Sequence, residues 1–470
     1  MKSEYVSPFS SRYSSKYMSE LFSPDTRYTT WRKLWISLAK AEKTFGLDIS
    51  DEQIADLENN LYNIDYAAVA DYEKITRHDV MSHIKAYGDV APKAAGIIHL
   101  GATSCFATDN ADLIIYKKAL EYIRDQLLAV MANLYDFAKK HKATPALGYT
   151  HYQPAQPTTV GKRATLWLQD FTSDYKHIDF VLNNLKFLGS RGATGTEASF
   201  EKLFDSGEKI DKMNAQIASD FGFSECYDVC GQTYPRKVDG EIADVLCSVA
   251  ESAYRFAQDI RLLQHDGELE EPHESGQIGS SAMAYKRNPM RSERICSLAR
   301  YMISIQNDVH LTAASQWLER TLDDSANRRI VMPEMFLCTD AILILANNVS
   351  SGLCVNEKVI NARIKNQIPF IATENILMEA VKRGGDRQKL HEIIRVNALA
   401  VKDKMAEGAE NDLFDRLEKT KEFAFIKEEK ANLINPDNYI GRSVEQVDKY
   451  LDKLSPLLCS IPRKTEKIDL

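Results

Sequence analysis

The sequence predicts an all-α protein organised around a bundle of very long helices. Five separate stretches carry apolar residues at alternating spacings of three and four, which is the period of a helix face. No Gly or Pro interrupts the longest of them. The apolar/polar alternation of a strand is almost absent from the chain.

In the first hundred residues, short helical patterns at Thr30 to Phe45 and Asp51 to Leu57 alternate with polar turns. From Asp109 the pattern becomes continuous. Leu113, Tyr116, Leu120, Ile123, Leu127, Val130, Leu134 and Phe137 form a 3.5-residue seam that runs uninterrupted to Pro145. About 30 residues at 1.5 Å each would reach roughly 45 Å. A second helix follows Pro157, with Val160, Ala164, Trp167, Phe171, Ile178, Leu182 and Leu185 on one face. A third runs from Val238 through Ile242, Val245, Val249, Phe256, Ile260 and Leu263. Two more lie around Ile295 to Leu311 and Ile330 to Val349. Stripes this long exceed what one subunit needs to bury, so other copies are expected to complete the bundle.

After Gly352 the elements shorten, at Asn356 to Asn366, Ala372 to Lys382, Asp386 to Met405 and from Asp437 onward. The expected division is a mostly helical N-terminal domain over 1–103, a central long-helix bundle over 104–355 and a helical C-terminal domain over 356–470. A length of 470 residues fits several domains rather than one core. Lys464 to Leu470 reads as a charged tail.

The net charge of -8, without any basic block, gives nucleic acid no electrostatic footprint, so an anionic ligand has to be met by local arginines. No apolar run approaches the roughly 20 residues that cross a bilayer, and Met1 to Tyr5 opens no signal peptide. The expected compartment is the cytosol. Cysteines at 105, 226, 230, 247, 296, 338, 354 and 459 form no CxxC pair and read as buried free thiols. No His/Asp/Glu cluster has metal-ligand spacing and no GxxxxGK loop is present, so neither metal, ATP nor another cofactor is expected.

Several polar segments punctuate this pattern. Ser11-Arg12-Tyr13 is a cationic, aromatic element in a Ser-rich arm and also reads as a frayed surface segment. In Thr76-Arg77-His78-Asp79, the Asp can orient the His, or simply cap a helix. Gly101-Ala102-Thr103-Ser104 ends an apolar run with two hydroxyls that either cap the next helix or bind a carboxylate. Thr150-His151 lies in a turn restrained by Gly148, Pro154 and Pro157, which presents an imidazole rigidly. The last segment, Gly279 to Glu293, packs Ser280, Lys286 and Asn288 into one loop. A Ser with a cation six residues on can act as a base if Lys286 stabilises the serine oxyanion. By composition alone the loop also reads as a solvated connector.

The string SSAMAYKRNP, from Ser280 to Pro289, resembles the SSxMPxKxNP signature of the fumarase/aspartase superfamily, with Ala284 where that pattern has Pro. GATS at 101–104 and THYQPAQPTT at 150–159 are similar to its two other signature regions, in the same order. Met290-Arg291-Ser292-Glu293, the stretch from Gln316 to Arg329, Ala372-Thr373-Glu374-Asn375 and Gly384 to Gln388 resemble the adenylosuccinate lyase family in particular. The resemblance covers nearly the whole chain.

It implies a three-domain fold whose central bundle assembles into a homotetrameric helical core with active sites shared between subunits. The implied reaction belongs to purine nucleotide biosynthesis. Fumarate is β-eliminated from adenylosuccinate, giving AMP, and from the succinyl-aminoimidazole-carboxamide ribotide, giving AICAR. By the same resemblance Ser280 is the general base, His151 the general acid with His78 as an auxiliary, and Lys286 stabilises the carbanion. The substrate would be held by Arg12, Tyr13, Arg77, His78, Asp79, Thr103, Ser104, Thr150, Gln232, Asn288, Arg294, Arg320, Ser325 and Arg329. Glu293 is expected either to orient His151 or to cap the helix beginning at Ser292. The alternatives are another fumarate-releasing lyase, such as the argininosuccinate type whose substrate carries no phosphate, and a catalytically silent helical relative.

Overall fold

The computed structural model describes residues 4–274 and 276–462; the charged tail expected at Lys464 to Leu470 lies outside them. A π-helical turn, Phe9–Tyr13, precedes α1 (Lys16–Leu21), α2 (Pro24–Thr44), α3 (Asp51–Asn59), α4 (Tyr66–Thr76) and α5 (Asp79–Val90). Then come α6 (Ser104–Lys140), the hairpin β1 (Pro145–Thr150) and β2 (Gln153–Thr159), α7 (Val160–Asn184), α8 (Ala198–Phe204), α9 (Gly207–Asp220) and α10 (Lys237–His265). A two-residue strand β3 (Leu269–Glu270) precedes α11 (Met290–Ala314) and α12 (Asp323–Gly352), and pairs with β4 (Cys354–Val355). The chain ends in α13 (Glu357–Ile371), α14 (Thr373–Lys382), α15 (Arg387–Ala406), α16 (Leu413–Leu417), α17 (Ile426–Leu433) and α18 (Ser443–Leu458).

The five long patterns correspond to α6, α7, α10, α11 and α12, and these pack on one another. Every residue of the α6 seam, from Leu113 to Phe137, is buried. At the first turn of α7, Gly161 permits close contact with the end of α6: a Cβ there would lie 2.4 Å from the Ala138 carbonyl oxygen. That contact seats the hairpin at the α6/α7 junction.

Two expectations need correction. The turn read around His151 is a β-hairpin, and β2 was missed because QPAQPTT lacks apolar alternation and holds two prolines. A two-stranded ribbon tolerates them because its outer edge has no ladder to satisfy. Second, α12 is long and apolar enough to cross a membrane by length and composition, although 78% of its most apolar stretch is buried in the bundle, as in a core helix. Of the cysteines, Cys105, Cys247, Cys296 and Cys338 are buried, Cys226 and Cys230 are half-buried, and Cys354 and Cys459 are exposed; all are free thiols.

One buried group opposes this packing. Glu42 on α2 is fully buried, neither carboxylate oxygen has a hydrogen-bond partner, and burial pushes its pKa up to about 8. A carboxyl with a raised folded pKa takes up a proton on folding, so stability falls as pH rises between its ordinary value and about 8. Glu42→Gln is therefore expected to match the parent in Tm near pH 5 and to exceed it increasingly toward pH 8.5. The gain there is on the order of a few kcal/mol. Thermal melts showing the same difference at both pH values would contradict this.

Candidate active site

A cavity of about 500 Å³ opens where α5, α6 and α12 begin. Helix N-termini carry unsatisfied N–H groups and partial positive charge, so three of them at one cavity favour an anion. Seven of the residues nominated from sequence line it: Arg77, His78, Asp79, Ser104, Arg320, Ser325 and Arg329. Arg27, Trp31, Cys105, Asp109, Asp112, Arg236 and Arg328 line it too and were not nominated.

The helix cap at this cavity is His78, not Asp79. His78 Nδ1 accepts from the Met81 N–H at 3.3 Å, which leaves Nε2 as the protonated nitrogen of the neutral ring. Asp79 Oδ1 is 3.7 Å from that Nδ1, too far for a hydrogen bond. Its carboxylate instead accepts from the Val80 N–H at 2.8 Å and from Arg329 Nη2 at 2.5 Å. Burial pushes the Asp79 carboxyl up, but the Arg329 contact outweighs it and holds the group below the usual carboxylate range.

Beneath these residues lies a buried ionic lattice. Arg320 Nη1 meets Asp324 Oδ1 at 2.7 Å, and Arg236 bridges Asp324 at 2.7 Å and Asp109 at 2.9 Å. Arg328 reaches Asp239 at 2.7 Å and Asp112 at 3.1 Å, and donates to the Tyr234 hydroxyl. Such networks fix geometry more than they stabilise. Here they hold Arg320 and the start of α12 in place. The available signal was charged residues on otherwise apolar helix stripes, at Asp109, Asp112 and Asp239. Gln232 approaches the cavity through Cys105, whose thiol donates to Gln232 Oε1 at 3.3 Å. Thr103 sits at the N-cap of α6 without a side-chain capping bond, so the helix does not use its hydroxyl.

The remaining nominated residues form three other groups. In the first, the guanidinium carbons of Arg12 and Arg294 lie 5.9 and 5.5 Å from the Tyr13 ring centre, and the Phe9 ring of the same turn packs at a tilt against Tyr301, with ring centres 5.6 Å apart. The arm is thus docked rather than frayed.

The second group is the loop before α11. Ser280 Oγ accepts from the Met283 N–H at 3.0 Å and the Ala282 N–H at 3.3 Å, two donors that favour a more negative oxygen. Asn288 Nδ2 donates to the Gly279 carbonyl at 2.6 Å, closing the loop around Lys286. A Cβ at Gly279 would lie 2.1 Å from the Lys286 carbonyl oxygen, so this closure requires glycine. Glu293 does not cap the following helix. Glu271 does so from the opposite end of the loop, accepting from the Arg291 N–H, the Ser292 N–H and the Ser292 hydroxyl at 2.9–3.0 Å. Glu293 is exposed.

The third group is the hairpin tip. Thr150 pairs with Gln153, and the two turn residues between them, His151 and Tyr152, have φ of 51° and 58°. This is the left-handed turn of a two-residue hairpin, usually given to Asn-Gly. A His in that backbone region is strained, and such strain concentrates at functional positions. His151 is exposed there. Among the described residues, no hydrogen bond or ion pair joins the hairpin tip, the loop, the Arg12 group and the cavity.

Residues 15–303 match a family described as Lyase, and residues 369–450 match one described as Adenylosuccinate lyase C-terminus. Adenylosuccinate lyase of Saccharomyces cerevisiae is 48% identical, over 96% of this chain and 94% of its own. That of Schizosaccharomyces pombe is 46% identical over 99% and 98%. Among solved structures, a 3-carboxy-cis,cis-muconate lactonizing enzyme from Pseudomonas putida superimposes with a TM-score of 0.85 at 23% identity, covering 95% of this chain and 99% of that one. A fumarate lyase from Mesorhizobium sp. BNC1 gives 0.81, also at 23% identity, covering 96% and 99%. These two structures identify the fold, that of the all-α fumarate lyases. With both sequence matches and near-complete coverage at up to 48% identity, the chain belongs to the adenylosuccinate lyase family.

Proposed function

We propose that this protein cleaves adenylosuccinate to AMP and fumarate, and the succinyl-aminoimidazole-carboxamide ribotide to AICAR and fumarate. The observation that carries the proposal is the cavity at three helix N-termini, rimmed by Arg77, Arg320, Arg329 and Ser325, which suits a nucleotide phosphate. Ser280 removes a Cβ proton from the succinyl group. The electron pair left behind delocalises into the adjacent carboxylate, where Lys286 and Asn288 offset the added charge. That pair then returns to form the carbon–carbon double bond of fumarate as the C–N bond breaks, the C–N electrons go to nitrogen, and His151 supplies the proton to that nitrogen, with His78 as auxiliary. Thr103, Ser104 and Thr150 hold succinyl carboxylates; Arg12, Tyr13, Asp79, Gln232 and Arg294 hold the rest of the substrate.

A homotetramer with shared sites belongs to the same proposal. Its support is that the outward faces of α10, α11 and α12 expose Leu262, Ile303, Leu311 and Ile330, while among the described residues no hydrogen bond or ion pair joins the base loop to the tip of the acid hairpin. The three domains 1–103, 104–355 and 356–470 are proposed with it, as is a cytoplasmic location, for which eight free thiols speak.

Arg329→Gln tests the phosphate cradle. Loss of one charge-assisted contact should raise KM about tenfold to a hundredfold with kcat little changed. A KM within twofold of the parent, from steady-state fumarate release, would remove Arg329 from the cradle.

A further inference from the structure

At the foot of the hairpin lies a buried polar junction that the reaction scheme leaves unused. Its centre is Glu268, fully buried between α10 and β3 in the chain. The Tyr149 hydroxyl donates to Glu268 Oε1 at 3.3 Å, Arg363 Nε lies 3.0 Å from the same oxygen, and Arg163 Nη1 lies 3.9 Å from Oε2. Each partner comes from a different part of the molecule. Tyr149 is on β1, two residues before His151. Arg163 is on α7 and also donates from Nη2 to the Leu147 carbonyl of β1 at 2.7 Å. Arg363, on α13 beyond the bundle, donates to the Tyr149 hydroxyl at 3.0 Å and pairs with Asp266 at 3.0 Å.

The junction is also incompletely satisfied. Arg163 Nη1, Glu268 Oε2 and Arg363 Nε are buried with no hydrogen bond of good geometry, despite their proximity. Burying charge in this way is costly, and native proteins retain such groups where a function compensates. A shift of the Glu268 carboxylate by about 1 Å toward Arg163 would bring the 3.9 Å approach within hydrogen-bonding distance. Two arrangements, looser and tighter, are thus available to the Arg163–Glu268 pair, to which β1 is bonded through the Tyr149 hydroxyl and the Leu147 carbonyl.

We propose that Glu268, through Tyr149 and Arg363, is a positioning residue that sets where the hairpin tip, and so His151, stands relative to the leaving nitrogen. The segment after Glu268 ties the same junction to the base loop, since Glu270 pairs with Arg287 at 3.2 Å and Glu271 caps α11. Placement of the C-terminal helices is thereby transmitted to both reacting groups. The inference rests on the reading of His151 as the acid.

The test is turnover of adenylosuccinate in D2O by the full-length enzyme, following both C–N cleavage and deuterium entering Cβ of recovered substrate. Removing and returning the Cβ proton requires the base alone, whereas cleavage also requires the acid. Glu268→Gln and the milder Tyr149→Phe should lower kcat by about tenfold or more, change KM by less than about threefold, and raise the ratio of exchange to cleavage. Arg363→Lys should retain more activity than Arg363→Gln. His151→Ala serves as reference. If it raises the ratio while Glu268→Gln and Tyr149→Phe do not, the positioning role is overturned. If His151→Ala itself leaves the ratio unchanged, the acid assignment falls and the inference falls with it.

Discussion

Ser280→Ala is expected to lower kcat for adenylosuccinate cleavage by roughly a hundredfold to ten-thousandfold, the range over which a positioned proton-transfer group contributes. A serine hydroxyl is a weak base, so its effect depends on what stabilises the oxyanion. Two backbone N–H groups, of Ala282 and Met283, already donate to Oγ, and Lys286 lies on the same closed loop. Alanine removes the base and leaves that scaffold intact, since Gly279 and Asn288 close the loop without Ser280. KM should stay within a few-fold, because substrate is gripped at the cavity and not by this hydroxyl. Activity within tenfold of the parent would show that another group abstracts the proton.

A comparable loss is expected for His151→Ala, and it gives access to a second question. If base loop and acid hairpin of one site come from different subunits, a denatured and refolded mixture of Ser280→Ala and His151→Ala chains contains some sites with neither defect. For equal amounts and random assembly into a closed oligomer, about one quarter of the sites qualify. Recovery of up to about a quarter of parental activity is therefore predicted, from two preparations that are each nearly inactive. No recovery after verified chain exchange would place the serine and histidine of each site in one chain.

The long helices were legible because a seam such as Leu113 to Phe137 must repeat every 3.5 residues to stay buried along so much of α6, itself 37 residues long. The helix expected after Pro157 begins at Val160, the first residue of its apolar face, but nothing in the sequence showed that the residues before it are held in β2. Of the candidate site, the parts carried by the signature regions could be located, and their local partners could not. Nothing in the sequence near Ser292 announces Glu271, which caps the helix across the loop, and Arg236 and Arg328 acquire meaning only once folding brings Asp109, Asp112, Asp239 and Asp324 to them. Such long-range polar pairings leave no period behind.

Purified protein mixed with adenylosuccinate tests the central claim most directly, with the ultraviolet change of the purine followed over time and fumarate and AMP quantified at the end. The account predicts equal amounts of both products, with formation nearly lost in Ser280→Ala. A folded, oligomeric protein that leaves adenylosuccinate unchanged would contradict it.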